Sequence, residues 1–114
     1  MTVHVTDVSD LSLGRYMSRY EGADHGGPVS LFIGEVTPGG GPVLHRHPYE
    51  EVFVLDRGTV RFTVDGEELD ARGGQVVVVP AGAKHRFVVT GDEPLKFVSV
   101  HPAPRMVQED FPEE

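Results

Sequence analysis

Apolar positions recur along this chain with a period of two, in short runs cut by glycine and proline. The clearest run is Thr59 to Val64, where Val60, Phe62 and Val64 share one face and Thr59, Arg61 and Thr63 the other. That alternation marks a half-buried β-strand. Asp65-Gly66 follows, a hairpin signal because both central positions of a type I′ turn need positive φ, and Glu67 to Ala71 returns. Val29 to Thr37 reads as a strand stopped by Pro38-Gly39-Gly40-Gly41-Pro42. Val43 to His47 begins another, which Glu51 to Leu55 continues after Pro48 as far as a turn at Asp56-Arg57-Gly58. Gln75 to Val79 is a β-branched run of the kind buried on both faces, ended by Pro80-Ala81-Gly82. His85 to Thr90 and Leu95 to His101 complete the series, separated by a turn at Gly91-Asp92-Glu93-Pro94.

Short strands with turn signals every 8 to 12 residues or so imply a sandwich or barrel. Hairpin-rich chains of this kind hide their edges by closing into barrels or jelly rolls. The expected division is an N-terminal arm over 1–28, a barrel over 29–101 and a tail over 102–114, all in one domain. The arm carries Leu11, Leu13, Tyr16, Met17 and Tyr20 without a clean period and is expected to pack on the barrel or on a partner subunit. The tail ends in Glu109, Asp110, Glu113 and Glu114 and reads as a solvated end, tethered in part by Met106, Val107 and Phe111.

Composition narrows the functions. With 114 residues the chain can build one core, not two. A formal charge of -8 opposes a phosphate backbone or an acidic membrane surface, so neither nucleic acid nor membrane is an expected partner. The chain has no cysteine, which excludes disulfides, thiolate zinc sites and cysteine nucleophiles. The first residues carry neither a basic stretch nor an apolar core of signal-peptide type, and no apolar run is long enough to span a bilayer, so a cytoplasmic protein is expected.

The candidate chemistry lies between the glycines. His45 and His47, two residues apart on an extended strand, point to one face. Glu51 shares their parity, and two imidazoles with a carboxylate on one face suit a metal ion. His85 stands at the end of the valine run as a further histidine. No Ser-His-Asp order, phosphate-cradling glycine loop or basic stripe is present to suggest other chemistry.

These residues resemble the two motifs of the cupin family. Gly39, His45, His47, Glu51 and Gly58 fit every spacing of the first motif. Gly74, Pro80, Gly82 and His85 fit the second, whose final Asn is replaced by Val89. In the family that Asn is not a metal ligand. The resemblance implies an all-β fold, an antiparallel jelly-roll β-barrel (the double-stranded β-helix), usually paired as a homodimer. It implies one divalent transition metal per chain, held by His45, His47, Glu51 and His85. Iron, manganese, nickel, copper and zinc all suit that set.

By parity the pocket wall is expected from Phe53, Leu55, Phe62, Val64, Phe87 and Val89, with Tyr49 near the rim. Arg46, Arg61 and Arg86 take outward parity, which disfavours a phosphate-bearing substrate. His101, before Pro102, could reach the pocket, but a surface or capping place is the first expectation. The function these features suggest is a metal-dependent, dioxygenase-like enzyme acting on a small apolar or aromatic molecule. Two alternatives stand beside it: a non-catalytic module that binds or senses a small ligand, and a metal-assisted isomerase or cyclase. No catalytic residue beyond the metal ligands can be named from sequence.

Overall fold

The computed structural model describes residues 2–114; Met1, the first residue of the expected arm, lies outside them. The strands are β1 (Met17–Glu21), β2 (Ser30–Val36), β3 (His45–Arg46), β4 (Glu51–Arg57) and β5 (Thr59–Val64). They continue as β6 (Glu67–Arg72), β7 (Val76–Val79), β8 (His85–Thr90), β9 (Leu95–His101) and β10 (Glu109–Asp110). Two short 3₁₀ turns, Val8–Leu11 and Gly22–Asp24, are the helical elements among the described residues, so no helix there is long and apolar enough to cross a membrane.

The strands form two five-stranded sheets, ordered β1-β2-β9-β4-β7 and β10-β3-β8-β5-β6, with antiparallel pairing throughout. This is the all-β jelly-roll architecture that the alternating runs imply. The Asp65-Gly66 hairpin has positive φ at both positions, 47° and 84°, and joins β5 to β6 in continuous register from Val64↔Glu67 to Thr59↔Arg72. Gly41 has no room for a Cβ against the Phe87 carbonyl. Only glycine lets the loop before β3 lie that close to β8.

Inward positions alternate along each strand. Phe53 and Leu55 on β4, Val60 and Phe62 on β5, Phe87 and Val89 on β8, and Leu95 and Phe97 on β9 are buried. Four phenylalanines meet at the centre: Phe53 lies 5.0 Å from Phe62 and 5.9 Å from Phe87, and Phe87 5.9 Å from Phe97, mostly edge to face.

Three expectations change. The valine run is not buried on both faces: Val76 is 62% and Val78 53% exposed, while Val79 is buried. The reason is parity: Val76 and Val78 share the outer face of the sheet with Val54, and Val79 shares the inner face with Glu51. The turn expected at Asp56-Arg57 is strand, carried past an irregularity in register with β9 between Leu55 and Arg57. The expected arm and tail each add a strand. β1 pairs with β2 over five residues, and β10 pairs with β3.

Phe62 is fully buried and touches both flanking aromatic rings. Phe62→Ala should destabilise the protein by about 3–5 kcal/mol through lost burial and a residual cavity. Urea unfolding at fixed protein concentration measures this, and a loss below about 1 kcal/mol would mean that the site collapses around the gap.

Candidate metal centre

Strands β3, β4 and β8 bring four donors to one end of the barrel. His45 and His85 are opposite residues in the β3–β8 register and therefore share a face. His47 lies two residues on from His45, and Glu51 opens β4 on its inner face. All four are buried, and one ligand atom from each lies within 4.8 Å of the others. His45, His47, Glu51 and His85 could therefore hold a metal ion.

The backbone fixes which nitrogen each imidazole offers. His45 Nδ1 lies 2.7 Å from the Val43 carbonyl, His47 Nδ1 2.8 Å from the Val107 carbonyl and His85 Nδ1 2.9 Å from the Ala83 carbonyl. A carbonyl oxygen only accepts, so each Nδ1 carries the proton and donates. In the neutral ring Nε2 is then a bare lone pair. Glu51 Oε1 lies 3.1 Å from His47 Nε2 and 3.2 Å from His85 Nε2. His47 Nε2 is buried with no well-aligned hydrogen-bond partner. A carboxylate oxygen facing imidazole lone pairs at this range is repulsive unless a cation or a proton stands among them. Three imidazole nitrogens and one carboxylate oxygen suit a divalent transition metal, so the donor set fits the group that the motifs imply.

The local electrostatics follow from the same contacts. Burial alone would push the Glu51 carboxyl up, but His101, His47 and His85 around it outweigh burial and hold it far below the usual carboxylate range. Burial would push His47 down, yet Glu51 and the Val107 carbonyl prevail and raise it above the ordinary histidine value. At His45 burial wins over the Val43 carbonyl and lowers the imidazole.

The four donors open onto a cavity of about 310 Å³. Of the residues expected to line it, Phe53 and Phe87 are in its wall. Leu55, Phe62 and Val89 sit deeper in the packed core, and Val64 is half-buried against that core. Tyr49 is half-buried, stacked on His47 at 5.1 Å, and reaches His101 rather than the cavity. The wall also takes Met17 and Phe32 from the first hairpin, Phe97 from β9 and Gln108 from the tail. No arginine or lysine among the described residues lines it.

His101 takes the less expected of its two places. It is 1% exposed, lies in the cavity wall and places Nε2 3.1 Å from Glu51 Oε2. The cause is the period of β9, on which Leu95, Phe97, Ser99 and His101 are all buried. Counting by twos from Phe97 finds it. The tail is also more than a solvated end. It supplies the Val107 carbonyl to His47 and is fastened by Arg105 to Asp24 at 2.7 Å and by Arg46 to Glu109 at 2.9 Å.

Residues 32–101 match the family model described as Cupin domain. Polyketide synthase CurC of Streptomyces cyaneus is 36% identical over 75 residues, which cover 63% of this chain and 49% of that protein. Tetracenomycin polyketide synthase protein TcmJ of Streptomyces glaucescens is 31% identical over 75 residues, covering 63% of this chain and 50% of that protein. The chain thus spans about half the length of the curated relatives it matches. Among solved structures, the formate complex of Lactobacillus farciminis oxalate decarboxylase superimposes with a TM-score of 0.77 at 26% identity, over 90% of this chain and 34% of that one. Oxalate decarboxylase from Bacillus subtilis, described with Mn(II) centres, gives 0.73 at 23% identity, over 85% of this chain and 28% of that one, a likeness of fold alone.

In metal-free protein the raised His47 imidazole contributes stability that is complete below its ordinary value of 6.5 and lost as pH rises through its higher folded value. Glu51, held below its ordinary 4.5, stays charged throughout that window and adds no slope. A cation takes the proton's place, so the rise in Tm on adding Zn(II) should grow from pH 6 to about pH 8. Thermal melts with and without Zn(II) across that range test this; a rise in Tm that shrinks with pH would count against the site.

Proposed function

The chain belongs to the cupin family, and we propose that it is a metal-dependent enzyme acting on a small, largely apolar or aromatic organic molecule. His45, His47, Glu51 and His85 would hold one divalent transition metal. The observation that carries this proposal is the union of four convergent donors with a phenylalanine-walled cavity free of arginine and lysine among the described residues. The bound ion would supply Lewis-acid polarisation of substrate oxygens or, if redox-active, chemistry with O₂.

The chain's own residues would do the rest. Phe32, Phe53, Phe87 and Phe97 would take up an apolar or aromatic body and exclude water from around the ion. Without a cationic side chain in the wall, a phosphate or sugar nucleotide finds no side-chain counter-charge beyond the ion itself. A neutral molecule with adjacent oxygens matches both halves of the site. A dioxygenase-type reaction is the first form of the proposal. The second is metal-assisted cyclisation or isomerisation without O₂, favoured by the description of two relatives as polyketide synthase proteins.

The test begins with elemental analysis of untagged protein prepared without chelator. It continues with reconstitution in Fe(II), Mn(II), Ni(II), Cu(II) and Zn(II), and with incubation against aromatic 1,3-diketones and catechols in air and under argon. We expect about one metal per chain, product formation abolished by EDTA, and loss of metal and turnover together in His47→Ala and Glu51→Ala. Turnover under argon selects the second form. A ligand held tightly and recovered unchanged by every metal form would make the barrel a binding module and overturn the enzyme proposal.

We also propose that the chain works as a homodimer through the outer face of the first sheet. Val52 and Val54 on β4 stand opposite Val78 and Val76 on β7 and opposite Val100 and Val98 on β9. Leu31 and Ile33 on β2 continue the face. Val54, Val76 and Val78 are exposed. These residues make an apolar patch, bordered at one end by Glu35, Asp56 and Lys96, and an exposed apolar patch of this kind is where a second chain can dock. On a chain of net charge -8, valine rows of this kind let two copies meet with few like charges in contact. Light scattering at micromolar concentration should give a dimer. Val54→Glu with Val76→Glu, a cross-strand pair, should give a folded monomer; a monomeric parent protein would sink the proposal.

A further inference from the structure

His101 is a buried imidazole to which the proposed site gives no task. Its ring is held on three sides, by Phe32 at 5.6 Å, His47 at 4.8 Å and Tyr49 at 5.4 Å, each nearly edge to face. Its two nitrogens have different neighbours. Nε2 lies 3.1 Å from Glu51 Oε2, close enough for a charge contact although bent away from an ideal hydrogen bond. Nδ1 lies 2.7 Å from the Tyr49 hydroxyl. That hydroxyl also accepts from the Val107 backbone N–H at 3.3 Å.

The proton on this ring follows from what Nδ1 faces. The Tyr49 hydroxyl can donate, whereas the carbonyls beside the other three histidines only accept. With Tyr49 donating to Nδ1, the single proton of the neutral ring is on Nε2, beside Glu51 Oε2. In the imidazolium both nitrogens carry protons, and Nε2 still turns a hydrogen toward Oε2. Either way Nε2 of His101 offers no lone pair. This is the reverse of His45, His47 and His85, whose Nδ1 protons are taken by carbonyls and whose Nε2 atoms are bare. The two oxygens of Glu51 are divided accordingly. Oε1 faces His47 and His85, and Oε2 faces His101.

We infer that His101 is a positioning residue rather than a fifth ligand: held by Tyr49, it occupies Glu51 Oε2 so that the carboxylate presents Oε1 alone to the ion. This rests on the proposal that the four donors bind a metal. The consequence would be a carboxylate that offers the ion one oxygen rather than two.

The test uses Co(II), whose visible absorption reports coordination. Its dissociation constant, by competition with a chromogenic chelator, and its spectrum are measured for the parent protein, His101→Ala, His101→Gln, Tyr49→Phe and, as a ligand control, His85→Ala. Unfolding curves of the metal-free variants separate folding losses from binding losses. Loss of a partner that orients a metal ligand ordinarily weakens binding by about 10–100-fold, and His101→Ala should fall in that range with altered visible bands. His101→Gln, whose amide N–H can still reach Oε2, should recover most of the affinity, and Tyr49→Phe should lose less than His101→Ala. Parent-like affinity and bands in His101→Ala would overturn the inference. So would a loss matching His85→Ala that Gln does not repair, since His101 would then be a ligand. A parent protein that takes up no Co(II) fails at the earlier step, bringing down the metal site itself and this inference with it.

Discussion

Everything at the open end of this barrel depends on how its imidazoles are tied to the main chain. Histidine is ambiguous, since either nitrogen can carry the proton, and a metal site cannot be built from rings free to choose. Three carbonyls remove the choice here. Val43 and Ala83 lie two residues before the histidines they hold, so those ties are local to the loops entering β3 and β8. Val107 is far away in sequence and serves His47 across the fold. The sheets supply the remaining constraint, because antiparallel alternation turns His45, Glu51 and His85 inward together.

That division accounts for what could be read from the sequence. The positions of His45, His47, Glu51 and His85 were legible because their spacing fits the strand period and the family motifs. The Thr59–Val64 strand and its hairpin were legible because the alternation and the turn chemistry agree. The valine run is less legible, because composition reports what a strand can bury, not whether both faces of its sheet are covered. Val76 and Val78 are as apolar as Val79, and only the face each takes separates them. His101 is legible in part: Pro102 after it suggests a surface or capping place, while the parity of β9 turns it inward. The part played by Val107 was beyond reach, since a backbone carbonyl leaves no mark on the sequence.

The aromatic wall serves two ends at once. Phe53, Phe87 and Phe97 belong both to the packed core and to the lining of the cavity. Their burial therefore helps hold the sheets together and also sets the shape available to a guest. Enlarging the cavity by trimming one of them costs stability by the same act, whereas Met17, Phe32 and Val36 line the cavity without being buried core residues. Variation in guest size is least costly on the first hairpin.

The strap across His47 sets an order of events during synthesis. His47 and Val107 are 60 residues apart, and Asp24 and Arg105 are 81 apart. A ribosome delivers the chain at about 5–20 residues per second, N-terminal end first. Both sheets can begin to pair while the tail is still inside the exit tunnel, but His47 has no fixed proton until Val107 emerges and docks. The four-donor arrangement is therefore completed late, by a contact that the preceding strands cannot supply for themselves.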